Sequence, residues 1–325
     1  MVDIFVELGD RLSRGLPADL LRRAVAANGW FEGREVEFAV RAICEQMLRR
    51  EALEEWIGSY GAIDRRWEER VLVVMAGNIP LVGFSDLLSV LMTGRVAILK
   101  LSHKDRPLME WVVGELRTIE PDIPIYIYND SDQPDRVIAT GGDSAVRHYA
   151  ELYGSLPMLL RGSRHSVAVI GEGSACEGLA SDIYRYSGLG CRSVSMLFVP
   201  EGYDAEELVS WKETTNAKYR NNYLQSKALL RLQGVDFYDN GVSCFVRSES
   251  FSDRVSLVSI VEYSSIEEVE AWLRTHDDEI QCVVGDAEVI VHPRRVDFGS
   301  AQHPTLWDYA DGVDTVAFLT TTNNE

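Results

Sequence analysis

Short apolar runs alternate with amphipathic stretches from Val71 onward, and this alternation constrains the fold of the chain more than any other feature. The run VLVVMA (71–76) is continuous, too short for a helix and rich in β-branched residues, the pattern of a buried parallel strand. After the turn GNIP, LVGFSDLLSVLMTG reads as a helix stopped at Gly94 and VAILKL (96–101) as the next strand. RPLMEWVVGELRTIE reads as a helix ended at Pro121, IPIYIY and RVIATGG as strands, and DSAVRHYAELYG as a further helix. HSVAVIGEG, the helix-like SACEGLASDIYRYS and the strand VSMLFVP continue the series. Alternation at this spacing predicts an α/β fold with a parallel, Rossmann-like sheet. Ahead of it, Val36, Val40, Ile43, Cys44, Met47 and Leu48 lie on one face of an amphipathic helix.

At 325 residues, with 46% hydrophobic and 26% charged residues, the chain is long enough for two domains of a globular enzyme. A formal net charge of -19 argues against nucleic acid and against an anionic membrane surface as partners. The five cysteines are scattered and odd in number, with no CxxC pair, so neither a zinc site nor a disulfide framework is expected. The start, MVDIFVELGD, is acidic where a secretory signal is basic, and no apolar run is long enough to span a bilayer. A reduced, cytoplasmic protein is the expectation.

Beyond Pro200 the alternation is less regular. The segment from FVPEGYD to SKALL reads as mostly helical, VDFYDNGVSCFV as a hairpin about Asp239-Asn240-Gly241, and SLVSIVEY and IQCVVG as strands. A second α/β domain beginning close to Cys191 is expected, with the cysteine near a junction where clefts form.

Four places carry residues with chemical potential. In YSGLGCRSVS, Gly188 and Gly190 would end a helix and set Cys191 on a tight bend, as a core residue or as a nucleophile. Asn78, in Gly77-Asn78-Ile79-Pro80, follows a buried strand, the edge where open α/β sheets bind ligands. It either caps the next helix or offers an uncharged donor. Lys100 ends its strand with Ser102 and Lys104 just beyond, and either snorkels to water or meets a ligand. Gly141 and Gly142 form a strand-to-helix turn that brings backbone N–H groups near a ligand. There is no G-x-G-x-x-G, no Walker lysine motif and no G-x-S-x-G, and the six histidines show no metal-site spacing.

VVMAGNIPLVGFSDLLSVLMTGRVAILKLSHKD resembles the core of the LuxC-type acyl-CoA reductases, a branch of the aldehyde dehydrogenase superfamily. ATGGDSAV, YSGLGCRSVSMLFVP and LWDYADGVDTVAFL fit the same pattern in the same order. The resemblance implies an aldehyde dehydrogenase-like fold and NADPH-dependent reduction of a fatty acyl thioester to the aldehyde through an acyl-cysteine. It makes Cys191 the nucleophile and Asn78 the side-chain donor to the oxyanion. Lys100 would face the adenosine part of the cofactor, with Gly141 and Gly142 near its pyrophosphate and nicotinamide. By their place just past the VAILKL strand, Ser102 and Lys104 are either solvated or meet a 2′-phosphate, with no acid at that spot before Asp105. The expected organisation is N-terminal helices and a nucleotide-binding domain over 1–185, a catalytic domain over 186–300, and a segment over 301–325 returning to the first. Acyl-CoA or an acyl-carrier-protein thioester would be the substrate, an acyl-transferring enzyme a partner, and a homo-oligomer the assembly.

Two departures from the wider superfamily bear on mechanism. The stretch Leu160 to Ser166 (LRGSRHS) lacks the glutamate that activates water in hydrolytic members, and Ser252 to Ser256 (SDRVS) lacks the one that holds the nicotinamide ribose. The first suits exchange with a thiol. The chain is also shorter than typical members, so part of the oligomerisation or N-terminal region is expected to be missing. The alternatives are a cofactor-free cysteine acyltransferase or thioesterase, and a non-catalytic subunit that binds acyl carriers.

Overall fold

The computed structural model describes residues 1–203, 216–252 and 254–321. They form two compact units, one of residues 1–163 with 303–325 and one of residues 164–302. The division falls ahead of the expected 185/186 boundary, because the strand that opens at His165 pairs within the second sheet.

In the first unit, α1 (Val2–Leu12), α2 (Ala18–Ala27), α3 (Gly33–Met47) and α4 (Arg50–Gly58) precede β1 (Arg70–Val74). There follow α5 (Phe84–Met92), β2 (Val96–Lys100), α6 (Arg106–Ile119), β3 (Ile125–Ile127), β4 (Arg136–Thr140), α7 (Asp143–Tyr153) and β5 (Met158–Arg161). The strands pair in parallel in the order β3-β2-β1-β4-β5, the doubly wound arrangement whose direction reverses between β1 and β4.

Strand periodicity explains the unbroken apolar runs. Val71, Val73, Ala97 and Leu99 face a core shared with α1 to α6, whereas Leu72, Val74 and Ile98 face a second core that includes Tyr149 of α7. With both faces covered, no position is left for a polar residue. Strand β5, MLLR, was not among the expected strands; it is short and ends in an arginine.

The second unit holds β6 (His165–Val169), α8 (Leu179–Tyr184), β7 (Val194–Pro200), α9 (Ala217–Gln233), β8 (Tyr238–Asp239), β9 (Cys244–Arg247), β10 (Leu257–Tyr263), α10 (Ile266–Thr275), β11 (Ile280–Gly285) and β12 (Arg295–Val296). Its sheet runs β12-β11-β6-β7-β10-β9-β8, parallel except for the β8–β9 hairpin. Residues 204–215, part of the stretch expected to be mostly helical, lie outside the described residues, as does Asp253.

Helix α11 (Thr315–Thr320) belongs to the first unit. Buried Arg136 donates to the carbonyls of Phe318 and Thr321 at 3.1 and 2.6 Å, and Arg161 donates to the Thr315 hydroxyl at 2.6 Å.

Candidate active site

The candidate residues of the first unit gather on one edge of its sheet. Because the strands are parallel, the carboxyl ends of β1, β2 and β4 present Asn78, Lys100 with Ser102, and Gly141-Gly142 together. The β1 and β4 loops flank the point where the winding reverses, which is where ligands bind in such sheets.

The loop after β1 is held tightly. The Asn28 side chain donates to the Gly77 carbonyl at 2.9 Å, and a Cβ added to Gly77 would lie 2.7 Å from that of Ser102. Leu81 has φ +57°, a left-handed conformation that costs a non-glycine residue about 1–2 kcal/mol. Its amide donates to Asp105 Oδ2 at 2.9 Å. The residue that caps α5 is Gly83, so Asn78 is not that helix's cap.

Alternation along β2 puts Lys100 on the α7 face, where its ammonium lies 4.0 Å from the Tyr128 ring centroid and 5.9 Å from that of Tyr149. Lys104 is exposed, and its amide donates to the Ser102 hydroxyl at 3.4 Å. At the end of β4, the Gly141 amide donates to the Arg161 carbonyl at 3.1 Å. Gly142 caps α7, and a Cβ placed there would meet nothing within 4 Å. Among the described residues, the buried hydroxyl of Thr140 has no hydrogen-bond partner. A cation, a hydroxyl awaiting a partner and an uncovered glycine turn on one edge fit a phosphate-bearing cofactor. Thr140 escaped the sequence reading because only its burial without a partner marks it.

The second unit carries Cys191. The helix expected over SACEGLASDIYRYS spans only Leu179–Tyr184, and the chain then turns through Tyr186 (φ 53°), Ser187 (φ 57°) and Gly188 (φ 67°). Gly188 is required there, since a Cβ would sit 3.1 Å from the Val255 carbonyl, whereas Gly190 has no positive φ. Two left-handed non-glycine residues in succession are the kind of strain that persists where surrounding structure imposes it.

Ser166, fully buried, fixes the cysteine from behind. Its hydroxyl donates to the Cys191 carbonyl at 2.8 Å and accepts from the Cys282 amide at 3.2 Å. The ladder shifts register at this point, between Ser166 and Val167 of β6 against β7 and between Ile280 and Cys282 of β11 against β6. A hydroxyl thus takes over where regular pairing lapses, as at bulges beside functional sites. Asp182, buried beside this turn, accepts from the amides of Gly299 and Ala301 at 2.6 and 3.0 Å. Burial pushes its carboxyl up to about 6, against the pull of those two amides and of Arg192.

The other thiols are poorly suited to attack. Burial pushes Cys44 and Cys244 up to about 11 and raises Cys176, and Cys282 is sealed within the sheet. Cys191 is partly buried, as are Cys44 and Cys176. Among the described residues no group of three or more His, Cys, Asp or Glu could hold a metal ion, and no helix is long and apolar enough to cross a membrane.

Similar folds occur in solved structures. Succinate-semialdehyde dehydrogenase from Burkholderia pseudomallei matches at TM-score 0.67 and 12% identity, covering 92% of this chain and 77% of that one. NAD-dependent aldehyde dehydrogenase from Sinorhizobium meliloti matches at 0.65 and 13%, covering 91% and 73%. NADP-dependent glyceraldehyde-3-phosphate dehydrogenase from Bacillus halodurans, complexed with NADP, matches at 0.64 and 12%, covering 87% and 72%. At such identities the likeness shows an aldehyde dehydrogenase-like α/β fold. No curated protein gives a significant match. The sequence profile of acyl-CoA reductase (LuxC) matches residues 40–222, more than half of the chain and a span that includes both the Asn78 loop and the Cys191 turn, and the chain belongs to that family of oxidoreductases acting on acyl and aldehyde groups.

Proposed function

We propose that the protein reduces an acyl thioester to the aldehyde with NADPH, through an acyl group carried on Cys191. The observation that supports this best is the partly buried Cys191 beside a strained turn, its carbonyl held by Ser166, within the span that the family profile matches. The substrate would be a fatty acyl-CoA or acyl-carrier-protein thioester, handed on by an acyl-transferring enzyme, in the reducing cytoplasm.

The Cys191 thiolate attacks the thioester carbonyl, and the carbonyl electron pair moves onto oxygen. The Asn78 amide and the Cys191 backbone N–H donate to that oxyanion, an assignment for Asn78 that rests on the family resemblance and on its place at the sheet edge. Collapse restores the carbonyl and expels the thiol of the carrier as a thiolate, which needs no strong acid. The stretch Leu160–Ser166 carries no carboxylate to activate water, and its Arg161 is engaged by Asp86 and Thr315. The acyl group is therefore kept for reduction. Lys100, Ser102, Lys104, Thr140, Gly141 and Gly142 would hold the cofactor, which supplies hydride to the acyl carbonyl when bound.

Incubation with acyl-CoA and NADPH tests this. Loss of NADPH absorbance with stoichiometric aldehyde is expected, and intact-mass spectrometry should show an acyl adduct on the wild type and none on Cys191→Ala. Asn78→Ala should slow acylation by about 10²–10³. An adduct that forms without any NADPH oxidation would point instead to an acyltransferase or thioesterase. Absence of both adduct and reduction would leave an acyl-carrier-binding subunit.

A further inference from the structure

Asp105 stands directly before α6, where an aspartate ordinarily accepts from the first amides of its own helix. Here its side chain makes no such cap. Although only 2% exposed, it accepts from the Leu81 amide at Oδ2, and among the described residues Oδ1 has no hydrogen-bond partner. Burial pushes this carboxyl well above its ordinary range. A buried acid that forgoes its own helix and satisfies one distant amide is a poor arrangement for stability alone.

The amide it meets belongs to the left-handed Leu81, at the far end of Gly77-Asn78-Ile79-Pro80-Leu81. At the near end, buried Asn28 holds the Gly77 carbonyl at 2.9 Å and accepts from the Trp30 amide at 3.0 Å. Asn78 lies between the two pinned residues, and Pro80 fixes one further torsion. We infer that Asp105 is a positioning residue for acylation: with Asn28 it holds the Gly77–Leu81 loop so that the Asn78 amide is aimed before substrate arrives. This rests on the oxyanion role proposed for Asn78. The physical reason is that a donor contributes to the barrier only if it needs no reorganisation at the moment of attack.

The test compares wild type, Asp105→Ala, Asp105→Asn and Asn78→Ala. Three quantities are read: single-turnover acylation of Cys191 by acyl-CoA, its acyl-CoA dependence, and hydrogen exchange at the Leu81 amide. Wild type should protect the Leu81 amide. Asp105→Ala should lose that protection and acylate about 10²-fold more slowly at saturating acyl-CoA, with half-saturation unchanged. Asp105→Asn keeps a carbonyl oxygen for Leu81 and should recover most of the rate. Rapid Leu81 exchange in the wild type overturns the inference without recourse to any variant. So does normal acylation by Asp105→Ala when Asn78→Ala is slow, and so does a loss confined to acyl-CoA affinity. If Asn78→Ala itself acylates normally, the oxyanion role fails instead, and the Leu81 exchange still reports whether Asp105 holds the loop.

Discussion

The hydroxyl of Ser166 joins Cys191 to Cys282, donating to the carbonyl of one at 2.8 Å and accepting from the amide of the other at 3.2 Å. Removing it takes away both of these hydrogen bonds at a place where the β ladder has already slipped. Ser166→Ala should therefore lower stability by about 1–3 kcal/mol, the net loss of two buried hydrogen bonds. Denaturant unfolding measures this, and iodoacetamide labelling of Cys191 at a temperature where both proteins are folded should show an altered rate. An unchanged melt and labelling rate would mean the bond does not hold the turn.

Under the proposed function, cofactor preference turns on the exposed Lys104. Asp105, the acid next to it in sequence, is buried and committed to Leu81, so it offers no charge to repel a 2′-phosphate. Lys104→Ala should weaken NADPH binding while leaving NADH binding nearly unchanged, lowering the ratio of the two affinities. Fluorescence titration with both nucleotides gives the answer, and an unaltered ratio removes Lys104 from the site.

Arg161 is 3% exposed and pairs with buried Asp86 at 2.6 Å. Arg161→Leu strands the carboxylate and should cost about 3–5 kcal/mol. Pairing it with Asp86→Leu removes the stranded charge and should recover much of the loss, as calorimetry of the two variants would reveal.

Asp182 makes stability depend on pH. Its carboxyl is pushed up to about 6 in the folded chain, above the ordinary aspartate value near 3.9. The folded state then binds the proton more tightly. The resulting stability is present below about pH 4 and is lost as pH rises through about 6, on the order of 2–3 kcal/mol in all. Urea unfolding at several pH values should show this decline in wild type relative to Asp182→Asn. Parallel curves for the two proteins would refute it.

What the sequence revealed was whatever depends on neighbours along the chain. The runs at Val71 and Val96 read as buried strands because both their faces are apolar, and their ends then located Asn78 and Lys100 on the ligand edge. Strand β5 was hidden because Arg161 looks like a surface residue until Asp86 and Thr315 meet it from distant parts of the chain. The turn before Cys191 was expected to rest on glycines, yet Tyr186 and Ser187 share the work; side-chain type gives no hint of a left-handed conformation imposed by packing. Asp105 enters the sequence reading only as the first acid after Lys104, and its burial and its bond to the Leu81 amide show only in the fold.

The docking of α11 by Arg136 and Arg161 bears on how the protein is made. The second unit is one continuous stretch, whereas the first is completed only by residues that follow it in the chain. A ribosome delivers β4 and β5 long before Thr315 and the carbonyls of Phe318 and Thr321 exist to receive their guanidinium groups. During translation the earlier sheet therefore lacks its α11 partners: the two arginines can already meet Glu69 and Asp86, but one apolar face stays incompletely covered. The contiguous unit is free to fold first. Nascent chains halted before residue 303 should present a protease-resistant second unit beside a first unit that is still readily cleaved.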